Sequence, residues 1–158
     1  MILIAYDGSE DSREAIAGAA KLFPTEPATI VTVWQRFVET MAGTGAGMAV
    51  VLDYDQIDLA AEQAAHEKAT EGAQAASAAG LRASPRAAVS NGRVAETILL
   101  EAAGLDAGAV VMGSRGLGGV KSLLLGSVSH AVLQHADRPV VIVPSSDTAK
   151  ERAQRHSD

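Results

Sequence analysis

Short β-rich runs that halt at turn residues, each followed by a longer segment of helical period, constrain this chain more than any other feature. Residues 2–6 form the first run and stop at Asp7-Gly8-Ser9; residues 28–34, 81–90, 109–112 and 139–143 are the others. Runs that are apolar without clean alternation suit strands buried on both faces of a parallel sheet. Between them, residues 10–23 repeat Ala15, Ile16, Ala19, Ala20 and Phe23 at helical spacing and stop at Pro24. Residues 53–79 read as an alanine-dominated helix ended by Gly80, and residues 94–103 as a helix behind the turn Asn91-Gly92. Pro85 places the third strand near a sheet edge. Strands alternating with helices require right-handed crossovers, hence an α/β fold with a single open parallel sheet covered by helices on both faces. For five strands the order 3-2-1-4-5 is the natural solution, and ligands then bind outside the carboxyl ends of the first and fourth strands.

The fourth strand leads into a glycine loop at that point. Residues 112–129 carry Gly113-x2-Gly116-x9-Gly126-Ser127, with a helix expected over residues 128–136. Glycine at a strand end permits φ > 0 and close approach of a flat ring to the main chain. A helix N-terminus offers free N–H groups and partial positive charge to a phosphate. Arg115 and Lys121 are either charge partners for phosphate or solvated loop residues. A glycine-rich turn followed by a helix capped by Ser127 or Ser129 would leave the same spacing, and Asp7 and Ser9 likewise suit helix caps. The loop is not a P-loop, because Val120 stands where that pattern needs glycine before Lys121-Ser122.

Composition narrows the function classes. With 158 residues, 47% of them hydrophobic, the chain is expected to form one domain over residues 1–145, followed by a polar, disordered tail over residues 146–158. A formal charge of −6 lacks the general electrostatic footprint for nucleic acid or anionic membrane. The absence of cysteine excludes disulfide, thiolate and cysteine-zinc chemistry. No run has the length of a membrane span, and the first strand starts without a basic leader, so a cytoplasmic protein is expected.

The glycine loop, the ILIAYDGSE that opens the chain and the HADRPVVIVP that follows the loop helix together resemble the universal stress protein family, in its ATP-binding branch. The resemblance runs over residues 2–144 and is weak over residues 35–81. It implies a Rossmann-like sheet of the adenine nucleotide alpha hydrolase type, with ATP, with or without Mg²⁺, in the crevice. By the same resemblance Asp7, with Ala5 and Tyr6 beside it, meets the base and ribose side, and the backbone of Val33 meets adenine. Met112, Gly113, Arg115, Gly116, Gly126, Ser127, Val128 and Ser129 complete the implied nucleotide site. A stress-response regulatory or sensor role, and a homodimer through residues 139–143, are implied as well. Family members often carry an acidic residue where this chain has Gly108, with Asp106 nearby.

A slow ATP-hydrolysing enzyme on the same sheet is the alternative function. It would need a general base and usually a metal, whereas His66, His130, His135 and His156 show no ligand spacing. A phosphate-accepting receiver domain fails, because the third strand ends at Ser90-Asn91 and the fifth is followed by Ser145-Ser146 rather than the required aspartate and lysine. Residues 35–52, with Gly43, Gly45 and Gly47, read as a surface loop where a lid would stand.

Overall fold

The computed structural model describes residues 1–38, 53–118 and 125–155. Gly43, Gly45 and Gly47, Lys121 and His156, singled out above, lie outside the described residues. The strands are β1 (Ile2–Ala5), β2 (Pro27–Gln35), β3 (Arg82–Ser90), β4 (Val110–Gly113) and β5 (Val140–Val143). The helices are α1 (Glu10–Leu22), α2 (Tyr54–Ala78), α3 (Val94–Gly104), α4 (Ser127–His135) and α5 (Ser146–Arg155). All strand pairs are parallel and the sheet order is β3-β2-β1-β4-β5, as expected. Among the described residues no helix is long and apolar enough to cross a membrane.

Successive side chains of β1 alternate between two cores. Ile2 and Ile4 join Ala15, Ile16 and Ala19 of α1 and Ala73 and Ala76 of α2 on one face. Leu3 and Val110 join Ala95, Ile98 and Ala102 of α3 and Val132 of α4 on the other. Small side chains let α2 lie close to the sheet, most of all at Gly72, where an added Cβ would stand 2.8 Å from both Ile30 Cγ2 and Tyr6 Cδ1. The helix ends as Gly80 foretold: Gly80 adopts φ +95°, and the N–H groups of Gly80 and Leu81 donate to Ser77 O and Ala76 O, each at 3.0 Å. Helix α3 ends in the same motif with Asp106 in the left-handed position, φ 49°, and Arg138 Nη1 clamps that end by donating to Ala102 O and Ala107 O.

The tail corrects the sequence expectation. Instead of being disordered from residue 146, it is helical over Ser146–Arg155. Ser145 accounts for this: its Oγ accepts from Thr148 N (3.3 Å) and its carbonyl from Ala149 N (2.8 Å), so it caps the first turn directly after Pro144. Ser145 and Thr148 are themselves buried.

The Gly72 contact makes a test of the packing. Gly72→Val should lower stability by about 1–3 kcal/mol, because overpacking against two buried side chains outweighs the helix-propensity gain. A urea midpoint equal to the wild type would show that α2 is free to lift off the sheet.

Candidate functional site

The crevice arises because β1 stops early. Its register with β2 ends at Ala5↔Val31 and with β4 at Ala5↔Met112, whereas β2 continues to Gln35 and β4 to Gly113. One further bond, Tyr6 N to Val31 O (2.9 Å), and Thr32 Oγ1 donating to Tyr6 O (2.9 Å) close the β1 side of β2 before Val33. The β1-side edge of Val33 therefore borders the opening beyond the end of β1. Ala5, Val33 and Val128 pack against the core that contains Met112, on the α3/α4 face of the sheet, so these expected residues share one side of it. Tyr6 does not join them. Its ring is buried in the opposite core, and its hydroxyl donates to Glu71 Oε1 (2.7 Å), an acceptor shared with Arg13 Nη2. Burial, followed by the Glu71 contact, raises the Tyr6 phenol above its ordinary range.

Two of the loop glycines make room for aspartates. A Cβ on Gly113 would stand 2.7 Å from both Asp11 C and Asp11 Cβ and 2.9 Å from Ser12 N; one on Gly116 would stand 2.6 Å from Asp7 Oδ2. The expectation that these glycines supply positive φ is not met. Among the described glycines only Gly8 and Gly80 have positive φ, and Gly126 sits at φ −70°, ψ 163° as the N-cap of α4. Close packing, rather than a left-handed turn, is the reason for glycine at 113 and 116.

Asp7 thereby braces the loop to the β1–α1 corner: Oδ1 accepts from Ser9 N (2.9 Å) and Oδ2 from Leu117 N (3.1 Å). Ser9 is the cap of α1, its side chain accepting from Ser12 N. Ser114, fully buried, is bonded in four directions. Its N donates to Val143 O (3.0 Å), its Oγ to Asp11 Oδ2 (2.6 Å), and its carbonyl accepts from Gly126 N (2.8 Å) and Ser129 Oγ (2.7 Å). Ser129 is thus buried in the loop's own structure, while Ser127 is exposed at the start of α4. No side chain caps α4 and no acidic residue lies in its first turn, in contrast to α1. That leaves its N-terminus suited to an anion.

Sequence reasoning passed over Asp11, Ser114, Ser145 and Thr148. The carboxylate of Asp11 accepts from Ser114 Oγ and from Arg115 N (3.0 Å), with Thr148 Oγ1 at 3.5 Å, and Arg115 Nη2 donates to Thr148 Oγ1. Burial pushes the Asp11 carboxyl up, but the hydrogen bonds from Ser114, Ser145 and the Arg115 backbone outweigh it and hold the group below the ordinary carboxylate range. An open cleft of about 490 Å³ lies on this side of the loop, walled by Gly8 to Asp11, Arg13, Arg115 to Leu117, Ser145, Asp147 and Thr148. Of the expected site residues, its walls include only Arg115 and Gly116. Among the described residues no three His, Asp or Glu side chains converge as a cation site.

Comparison with known proteins places this geometry in context. The model of the universal stress protein family matches residues 1–144. A Thermus aquaticus protein, the universal stress protein in the QAH/OAS sulfhydrylase 3′ region, is 37% identical over 150 residues, covering 90% of this chain and 96% of its own. Among solved structures, a universal stress protein in complex with cAMP superposes with a TM-score of 0.65 at 22% identity, covering 92% of this chain and 97% of that one. The Archaeoglobus fulgidus universal stress protein in complex with dAMP gives 0.58 at 20%, covering 90% and 95%.

The buried carboxylate makes acid stability a measurable property of the site. Because Asp11 is held below its unfolded value, its contribution is fully present above about pH 4 and is lost as pH falls through the folded value. Asp11→Asn should cost about 1–3 kcal/mol near neutrality. The gap from wild type in urea midpoint should narrow steadily below about pH 4. A gap that stays constant into acid would show that the carboxylate charge is not what the loop uses.

Proposed function

Because the chain belongs to the universal stress protein family, we propose that it binds an adenine nucleotide, ATP, in the crevice beyond β1 and serves as a nucleotide-dependent stress-response regulator. The observation that carries this reading is the early end of β1. It opens the edge of Val33 on one side and leaves the uncapped N-terminus of α4 on the other, with the apolar Ala5, Met112 and Val128 between. A flat base against that apolar floor gains burial, and the β2 edge offers main-chain groups that distinguish adenine from guanine. Phosphates beside Gly126 and Ser127 gain the N–H groups of the first turn of α4 from Ser127 onward, Gly126 N being engaged with Ser114 O. The two related proteins solved with cAMP and dAMP share the adenine ring, which supports adenine as the common element.

Asp7 retains a role in this reading. Each of its oxygens accepts one backbone N–H, and a carboxylate has about four acceptor sites, so a ribose hydroxyl can still donate to it. Mg²⁺, if it accompanies the triphosphate, fits a site in which phosphate oxygens and water supply most ligands and Asp7 at most one. The same edge logic supports a homodimer. β5 is a sheet edge of uncharged, apolar sequence, and α5 begins instead over α1, with Ser146 Oγ 3.4 Å from Glu14 Oε1.

Titration calorimetry with ATP, ADP, AMP and GTP tests the nucleotide reading: heat with ATP and little with GTP is expected, and no heat with any of them refutes it. Gly126→Val sharpens the test. The backbone there accepts a side chain, since an added Cβ would meet nothing closer than Arg115 Cα at 3.5 Å. The variant should stay folded yet lose about 3–6 kcal/mol of binding, because its branch, beyond a Cβ that faces Arg115 Cα, Ser114 O and Gly116 N, presses the two arms of the loop apart. Wild-type affinity in this variant would make the loop a turn and nothing more.

Sedimentation equilibrium tests the dimer directly, and twice the chain mass is expected. Charge substitutions at Val141 or Ile142 are poor probes, because each packs into one of the two cores. A monomer persisting to high micromolar concentration would remove β5 as an interface.

A further inference from the structure

We propose that Asp11 is a positioning residue for the nucleotide loop and that, through the same carboxylate, docking of helix α5 and occupancy of the loop favour one another. The inference rests on the nucleotide reading above and adds a regulatory element to it. Asp11 is only 6% exposed, and its carboxylate joins two parts of the molecule. Towards the loop it accepts from Ser114 Oγ at 2.6 Å and Arg115 N at 3.0 Å. Towards α5 it meets the hydroxyl of Thr148, which also accepts from the Arg115 guanidinium. The first arm of the loop and the first turn of α5 therefore share one buried charge and one guanidinium.

The second arm follows the first. Gly126 N donates to Ser114 O at 2.8 Å, and Gly126 stands against the Arg115 backbone. Whatever moves Ser114 and Arg115 thus moves the N-terminus of α4, where the phosphates are proposed to sit. The loop cannot slide to compensate, because Gly113 already lies against Asp11 with no room for a single carbon.

Helix α5 has the properties of a two-state element. It is 10 residues long, and its sequence, SDTAKERAQR, is almost wholly polar. A helix of that length and composition is marginal by itself, so its order depends on the anchor at Ser145 and Thr148. It also lies beyond residues 1–144, the part matched by the family model. When α5 undocks, the buried carboxylate loses a hydroxyl donor and the Arg115 guanidinium loses one acceptor, and the loop must relax or admit water. Nucleotide that requires the ordered loop opposes that relaxation. By linkage, the factor by which ATP stabilises docking equals the factor by which docking tightens ATP.

The full-length chain supplies the test. ATP affinity is measured for wild type, Thr148→Val and Thr148→Ser, and amide exchange over residues 146–155 is followed in the wild type with and without ATP. Thr148→Val, close in shape but without the hydroxyl, should bind ATP about fivefold or more weakly, with Thr148→Ser near wild type. In the wild type, ATP should raise protection of α5 by a matching factor. Asp11→Asn should lower affinity further while remaining folded by circular dichroism. Wild-type chain that binds ATP, with Thr148→Val binding equally well and α5 exchange unmoved by ATP, overturns the coupling and leaves the nucleotide reading intact. Wild-type chain that takes no nucleotide overturns both.

Discussion

The contact on which the site depends is the close approach of the β4 loop to the corner between β1 and α1. Two absent Cβ atoms make it possible. At Gly113 the space is taken by Asp11, and at Gly116 by Asp7. Once the loop is that near, the carboxylates can accept its N–H groups at Arg115 and Leu117, and Ser114 can bond to α1, β5 and α4 together. Polar atoms so placed are paired, those of Ser114 in full burial, a condition that gives the loop one conformation in preference to many. A ligand meeting such a loop loses little free energy to ordering it.

The sheet order, both helix layers and the edge position of Pro85 were legible from periodicity and turn residues, because a parallel sheet buried on both faces leaves a strong apolar signal. Gly80 was legible for a similar reason: left-handed backbone at a helix end has a strong residue preference. The roles of Gly113 and Gly116 were not. Their spacing is visible, but it cannot say whether the vacant volume admits a ligand or another part of the chain. Asp11 was hidden because an acidic residue in a first helical turn is ordinary, and its bonding partners lie about a hundred positions away. The tail was misjudged on composition. Hydropathy carries little information about a short polar helix whose order comes from a cap and two buried hydroxyls.

Placing β1 in the middle of the sheet also fixes an order of events during synthesis. β1 leaves the ribosome before the other strands, and its neighbour on one side, β2, follows within a few tens of residues, but Val111, which lies beside Ile4, emerges only after α2, β3 and α3 have followed. Until then the growing chain can complete only β3-β2-β1, with the flank of β1 uncovered and the apolar residues awaiting α4 still in water. An apolar, unpaired strand flank is a template for association with other chains. The half of the molecule that later holds the crevice is the half that nascent-chain chaperones have most reason to shield.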